Sequence, residues 1–590
     1  MSLSIVFNKA WTYAHLASSL PLFLIMLILL RSLWFLSLLQ ASSPKVDYNA
    51  PLHKPLHIDL ILAGNFGELR PNHFHTGIDI KTPGQEGYKL YAIADGYVSR
   101  IKTGTSGYGK VVYIDHPEYG ITSVYAHCQN FVGDIADYTR ATQNAREFYE
   151  IDEQVPVMAL PVKKEQNIAL SGNTGSSSAP HLHFEIRETQ SENPLNPLLF
   201  SFLNVADSRA PHIQNLIIYA LSKQGYRIPD KRLEFPVKAI QGKYKLNTDT
   251  ISVPAHFCSE HGGIGMAIGV YDKYNAAENV CGIYQGVLTM NGDTVHHQIM
   301  NRLDFEFNRQ INTHKDYEAY KKNKSKIEKY FRTVHNQIPI YDLKRGKGIL
   351  GVQPEHSYDI QFSVSDLAKN NSVLAFVLKT LPGKLRSEDT AFDRYDANYL
   401  YPDSSYFFQN DHYRIELPAG VFYEPILKKI GFDNGQLQFC SAQEPVNAVI
   451  KIALPLKNQK LPEKSVLYHH ESKSYYPGRI ANNWFESEVK TLGTFSLTED
   501  TTPPLISRKF KVLTTPQVIK RLAWTARDTQ SGLAYYALYI DGKYQLLEYE
   551  HKRSEFFANI DLKAGKYECQ MIAVDKVGNT VEDKFTLVVR

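Results

Sequence analysis

The chain contains no C-x-x-C pair. Its five cysteines, Cys128, Cys258, Cys281, Cys440 and Cys569, are scattered, so the spacing of a thiolate zinc site is missing. The odd count leaves at least one thiol without an intrachain partner; Cys258 and Cys281 could pair, but the favoured reading is a pair of small buried core residues. No cysteine stands near Ala41, which argues against a bacterial lipoprotein anchor. An excess of one charge is lacking too. The 65 basic and 61 acidic side chains leave a net charge of +4, whereas a nucleic-acid binder concentrates Lys and Arg. Nucleic acid is therefore not an expected partner. Helical periodicity is scarce between residues 59 and 204, and residues 381–500 carry no chemical motif.

What is present begins with an apolar leader. Residues 16–39 are strongly apolar, broken by Arg31 and preceded by Lys9, and residues 20–30 contain no polar side chain. Gln40-Ala41-Ser42-Ser43-Pro44 then supplies the small residues that signal peptidases accept. Two readings fit. One is an uncleaved signal anchor in which Arg31 snorkels. The other is a signal peptide starting at Met26, with residues 33–39 as its apolar core. Both export the chain, and membrane contact is expected only through this segment if it is retained.

The 590 residues exceed one core and suggest about four domains. With 43% hydrophobic and 21% charged residues, they are expected to be globular. Residues 59–204 read as short strands broken by glycine, such as Gly109-Lys110-Val111-Val112-Tyr113-Ile114 and Ile121-Thr122-Ser123-Val124-Tyr125. Residues 131–166 interrupt that pattern, with a short helix expected around 141–149. Asp207-Ser208-Arg209-Ala210-Pro211 marks a boundary. A Lys-rich helical segment is expected at about 315–333, with Tyr317, Tyr320, Ile327, Tyr330 and Phe331 partly on one face. Asp366 to Asn370 and Asp575 to Asn579 repeat a strand, D-x-x-x-N turn, strand pattern. That repeat suggests two β-sandwich modules of immunoglobulin-like type. Asp541-Gly542 is a hairpin signal, and Thr501-Thr502-Pro503-Pro504 reads as a linker. The expected fold is mainly β. A leader occupies 1–45 and a small β-rich domain 46–204. An Ig-like module with a helical insertion near 313–335 fills 205–380, a β-rich module 381–500, and a C-terminal Ig-like sandwich 501–590.

Chemistry concentrates in three short stretches of the first third. In His181-Leu182-His183-Phe184-Glu185-Ile186 the alternation places His181, His183 and Glu185 on one strand face and Leu182, Phe184 and Ile186 on the other. Successive same-face Cα atoms lie about 7 Å apart, which suits one metal ligand and one acid or base. Spacing alone does not say which histidine is which. His75 and Asp79 would sit about 13 Å apart on a straight strand. Thr76, Gly77, Ile78 and Ile80 oppose helix, so the two can share a metal only if the chain turns at Gly77. His73 reads as solvent-exposed. His127 closes the strand that ends Tyr125-Ala126. Together these residues offer N and O donors of the kind zinc takes, with imidazoles to spare for proton transfer.

Phe66-Gly67-Glu68-Leu69-Arg70 through Phe74-His75-Thr76-Gly77-Ile78-Asp79-Ile80 resembles the first motif of the lysostaphin-type (LytM) peptidoglycan endopeptidases. Ala94-Asp95-Gly96-Tyr97-Val98, Gly107-Tyr108-Gly109, Tyr125-Ala126-His127, Ser171-Gly172-Asn173-Thr174-Gly175 and His181-Leu182-His183-Phe184-Glu185 continue the likeness across residues 57–200. The resemblance implies a zinc ion held by His75, Asp79 and His183, with His127 and His181 as catalytic imidazoles. It implies a zinc metalloendopeptidase acting on peptidoglycan cross-links or stems in the bacterial cell envelope, periplasmic or membrane-anchored. The C-terminal β modules would hold it on the wall or on an envelope protein. The alternative is a non-catalytic LytM-like module that binds wall or activates another hydrolase. Two departures stand out: Cys128 follows the strand-end histidine where the family has Leu, and residues 131–166 are long and adjacent to His127.

Overall fold

The computed structural model describes residues 46–590 except 260–261, 388–394, 458, 513–514 and 516–517. The leader expected at 1–45 lies outside the described residues. Among the described residues no helix is long and apolar enough to cross a membrane.

Strand alternation builds the first sheet. Its main strands are β1 (Leu62–Gly64), β2 (Ile78–Lys81), β3 (Gly96–Thr103), β4 (Val111–His116) and β5 (Ile121–Ala126). After helix α1 (Gly133–Arg146) come β6 (Ile151–Gln154) and β7 (His181–Glu188). They hydrogen-bond in the order β1-β2-β7-β5-β4-β3-β6, each pair antiparallel. The strand of this set that comes last in the chain thus sits between two early ones. On β7, Leu182, Phe184 and Ile186 are fully buried against Ile78, Ile80 and Tyr125. Burying side chains of this size is worth roughly 1.5–3 kcal/mol each. That apolar face fixes the register, because a one-residue slip would turn the histidines into the core.

Residues 131–166 are ordered rather than loose. Helix α1 starts and ends earlier than the sequence suggests. It stops at Arg146 because Glu147 takes a left-handed conformation, φ 48°. The chain then leads Phe148 and Tyr149 away from the helix axis. Tyr149 is buried among the C-terminal core residues Trp524, Leu538 and Phe556, and Phe148 stacks on Tyr535. The aromatic pair that looked like helix interior is therefore a docking element.

Beyond residue 205 the chain forms pairs of sheets around separate cores. The next region contains β8 (His212–Leu221), β9 (Ile264–Tyr271), α2 (Tyr317–Asn323), β10 (Ile327–Lys329), β11 (Ser357–Ser365) and β12 (Asn371–Thr380). Leu216, Ile218, Met266 and Ile268 from one sheet meet Phe362, Val364, Leu374 and Phe376 from the other. Two five-stranded sheets follow, then two four-stranded ones, around further clusters of buried residues. The molecule is mainly β, as its composition of short alternating runs predicts.

The helical stretch of the second region is short. Past a single turn at Ile311–His314, α2 ends after Asn323, where Lys324 is left-handed. Ile327–Lys329 then pairs with β9. Ile327, Tyr330 and Phe331 are buried as members of that strand and its continuation, not as a helix face. All five cysteines are buried and unpaired. Cys128 packs at the end of β5 with its thiol on the Tyr125 carbonyl, 3.4 Å away.

Candidate metal centre and its cleft

Adjacent strands β2, β7 and β5 bring the chemical residues to one end of the sheet. Asp79 lies directly opposite His183, and His183 lies opposite Ala126, the residue before His127. The chain bends between His75 and Ile78. Gly77 is needed there for space rather than for an unusual φ: a Cβ would stand 2.4 Å from the Phe184 carbonyl oxygen. The bend carries His75 to Asp79, with 3.1 Å between Nε2 and Oδ1.

Three donor atoms converge. His75 Nε2 is 3.0 Å from His183 Nδ1, and His183 Nδ1 is 2.9 Å from Asp79 Oδ1. The outer nitrogens are already committed. His75 Nδ1 donates to the Asn65 carbonyl at 2.8 Å. His183 Nε2 donates to Glu185 Oε1 at 2.8 Å. With those tautomers, two lone-pair nitrogens and a carboxylate oxygen face one another with no proton between them. Such a set needs a cation, and N/O donors of this type suit a metal held by three protein ligands. His75, Asp79 and His183, all buried, are thus a group that could hold a metal ion. Burial opposes the charge on His183, but its hydrogen bonds to Asp79 and Glu185 outweigh this and push it up to about 9. Burial alone would raise Asp79; the facing His75, His181 and His183 instead hold it well below the usual carboxylate range.

Side chains behind the ligands orient them, and sequence reasoning gave these no role. Glu185, fully buried, accepts from His183, from Thr76 Oγ1 at 2.7 Å and from Tyr108, while Arg187 Nε donates to its other oxygen at 2.7 Å. A carboxylate behind a ligand histidine fixes its tautomer and ring plane. Arg70 donates to Asp79 Oδ2 at 2.9 Å, leaving Oδ1 toward the histidines. The alternation had placed Glu185 on the histidine face, which was the available signal. Nothing local in the sequence pointed to Asn65, and Arg70 stood in the first motif with no role assigned.

His127 and His181 stand beside this group with ring centroids 4.8 Å apart. His127 has φ 59°, uncommon for a residue other than glycine and typical of constrained functional positions. Its Nδ1 donates to the Thr174 carbonyl at 2.8 Å. That carbonyl is set by the loop in which Gly175 abuts Gly109, where a Cβ on either would overlap the other's backbone. Burial, then repulsion from His181 and His183, lowers His127 to about 3, so it is neutral at ordinary pH. His181 Nδ1 donates to the Ala179 carbonyl at 2.8 Å, and its Nε2 is 3.4 Å from Asp79 Oδ1. His73 is exposed, bonded to the Pro71 carbonyl.

The group lines a cleft of about 1160 Å³. Residues 131–166 contribute nothing to its lining. The facing wall comes from the second region, through Val280, Tyr320, Lys324 and Lys326. That region also buttresses the ligand loop. Phe66, Leu69 and Phe74 pack on Met300, Ile311 and Ile340, and Asn65 exchanges two 2.8 Å hydrogen bonds with the Gly282 backbone. Lys326 pairs with Glu68 at 2.8 Å. The residue whose carbonyl positions His75 is therefore itself held by the second region through its side chain.

Comparison with known proteins places similarity in the same part of the chain. The profile described as Peptidase family M23 matches residues 73–144, a span that includes His75, Asp79 and His127. An uncharacterized metalloprotease of Haemophilus influenzae is 33% identical over 131 residues, 22% of this chain and 21% of that protein. The DD-carboxypeptidase/endopeptidase Mpg of Neisseria meningitidis is 32% identical over 124 residues, 21% of this chain and 22% of that protein. The chain thus spans about a fifth of the length of the curated relatives it matches. Among solved structures, the catalytic domain of lysostaphin from Staphylococcus simulans is 22% identical, covering 23% of this chain and 87% of that one, with a TM-score of 0.18. Csd3 of Helicobacter pylori is 25% identical, covering 27% and 36%, also with a TM-score of 0.18.

Proposed function

Because its N-terminal domain belongs to peptidase family M23, of lysostaphin (LytM) type, we propose that this protein is a zinc-dependent endopeptidase that hydrolyses peptide bonds in peptidoglycan cross-links or stems. The observation that carries the reading is the set of three donor atoms, from His75, Asp79 and His183, converging beside two further imidazoles on the cleft floor. Zinc bound there would polarise a carbonyl and acidify water. The protein's own groups do the rest. His127 and His181 each have Nδ1 tied to a backbone carbonyl, which leaves each Nε2 as the working nitrogen. Between them they take a proton from the attacking water and return one to the leaving amine, help worth roughly 10²–10⁴-fold. Arg70 and Glu185 keep Asp79 and His183 aimed.

The cleft wall supplies substrate contacts. Lys81 and Lys324 line it without an ion pair among the described residues, suited to the carboxylates of peptidoglycan stem peptides. Mpg is named as a carboxypeptidase and endopeptidase, which supports wall peptides as the substrate class. Such a substrate lies in the cell envelope, where an exported chain would meet it. The regions after residue 205 would then hold the enzyme on the wall or on an envelope protein. The test is zinc stoichiometry together with peptide release from purified peptidoglycan. The wild-type chain should bind one zinc and release peptides, and His183→Ala should do neither; unchanged hydrolysis by His183→Ala would overturn the assignment.

A further inference from the structure

A second group of acidic side chains lies outside the lining of the cleft, where residues 205–211 enter the second region. Asp207 sits on that connecting segment, Asp272 follows β9, and Asp366 follows β11. One carboxylate oxygen from each lies within 4.8 Å of the others. Carboxylates so close repel one another, so the basic groups nearby matter. Arg209 and Lys273 are the adjacent cations, and both turn to Glu278, at 3.0 and 2.6 Å. Neither forms an ion pair with the three aspartates among the described residues.

The decisive feature is Asp272. The residue is fully buried. Its Oδ1 accepts from the Lys273 N–H at 2.9 Å, but its Oδ2 has no hydrogen-bond partner. Asp207 Oδ2 is buried and unpartnered as well. An unpaired carboxylate oxygen shut away from water is costly unless a cation meets it. Burial, with repulsion from Asp207 and Asp366, pushes Asp272 up to about 7. Burial also raises Asp207 and Asp366.

The arrangement recurs in the C-terminal region. Asp500, Asp528 and Asp575 come equally close, on the same D-x-x-x-P and D-x-x-x-N positions as Asp207 and Asp366. Asn370 Nδ2 donates to Asp366 and to the Asp207 carbonyl. Asn579 Nδ2 does the same for Asp575 and Asp500. The copies differ in one respect. Both Asp500 oxygens already accept backbone N–H groups, from Thr502 and Ser531. The first cluster keeps two oxygens uncommitted.

We propose that Asp207, Asp272 and Asp366 bind one hard divalent cation of the calcium class, which ties the segment leaving the peptidase domain to the ends of β9 and β11. All-oxygen donors suit Ca²⁺, which accepts mono- or bidentate carboxylates in flexible geometry, whereas Mg²⁺ demands near-octahedral order. The consequence is mechanical. The second region holds the His75 loop and supplies one wall of the cleft, so stiffening its attachment steadies the active site. The clamp adds to the proposed peptidase reading but does not depend on it, since binding is measured without turnover.

The test is calcium titration of the zinc-loaded full-length chain by calorimetry, with tryptic cleavage after Arg209 followed in parallel. The wild-type chain should bind calcium with a Kd of about 10⁻⁴–10⁻³ M, the range of extracellular modules, and calcium should slow cleavage at Arg209 severalfold. Asp272→Asn should lose at least tenfold in affinity, lower the calcium stoichiometry by one, and lose the protection. Without calcium that variant should melt no lower than wild type, because the oxygen it replaces has no partner to lose; this separates lost binding from misfolding. Absence of calcium binding by the wild-type chain, preference for magnesium, or unchanged stoichiometry and affinity in Asp272→Asn would each overturn the proposal.

Discussion

Replacing Glu185 by Gln tests whether the carboxylate behind His183 matters to the metal. Glu185 is fully buried, and its two oxygens are divided. Oε1 receives His183, Thr76 and Tyr108, and Oε2 receives Arg187. An amide can keep its oxygen toward His183 only by turning its NH₂ toward the Arg187 guanidinium, donor against donor. Two losses follow. His183 loses a charged acceptor, which for orienting partners of metal ligands typically weakens binding by about 10–100-fold, or ~1.4–2.7 kcal/mol. Arg187 loses its close counter-ion, since Glu192 is 4.0 Å away, and breaking a buried pair costs about 3–5 kcal/mol of stability. Zinc affinity by competition with a chromophoric chelator measures the first loss, and thermal unfolding the second. The double variant Glu185→Gln/Arg187→Gln removes the stranded charge. It should recover stability over the single variant while keeping the weakened zinc affinity. Wild-type zinc affinity in a folded Glu185→Gln chain would refute the orienting role.

Other consequences can be checked singly. Gly77→Ala places a methyl 2.4 Å from the Phe184 carbonyl; it should cost about 1–3 kcal/mol and reduce zinc affinity by displacing His75, and a neutral effect on both would contradict the packing argument. Burial lowers His296 to about 3, below an unfolded value near 6.5. The unfolded chain therefore binds the extra proton between those values, and stability falls as pH drops below 6.5. His296→Gln should make that acid loss shallower by up to about 1.4 kcal/mol per pH unit, read from denaturant midpoints between pH 4.5 and 6.5. Lys324→Glu, on the far cleft wall, should raise KM for wall peptides severalfold with little change in kcat; an equal fall in kcat would show instead that the wall acts on chemistry.

The sequence exposed the parts of this structure that depend on local periodicity. Alternation at 181–186 separated the histidine face from Leu182, Phe184 and Ile186, which the structure buries completely. The impossibility of a straight strand between His75 and Asp79 required a bend, and it lies at Gly77. The reason for glycine there was not legible, because the colliding Phe184 carbonyl is 107 positions distant in the chain and reaches the site only through the β2–β7 pairing. Long-range docking also misled the helix bounds. Phe148 and Tyr149 continued an apparent helix but are anchors for the C-terminal core. Ile327, Tyr330 and Phe331 fitted a helical face but belong to a strand and its continuation. The D-x-x-x-N repeat was visible, yet its acidic partners Asp272 and Asp528 lie on other loops and have no shared spacing to reveal them.

The central claim is that the converged donors and the paired imidazoles form a working peptidase. Its most direct test is mass analysis of purified peptidoglycan after incubation with the zinc-loaded chain and with a zinc-loaded His127→Ala/His181→Ala variant. The account predicts that the wild-type chain generates new peptide amino and carboxyl termini. The double variant, which keeps His75, Asp79 and His183, should hold zinc in equal amount and release none. No new termini from the wild-type chain, or the same products from the double variant, would contradict it.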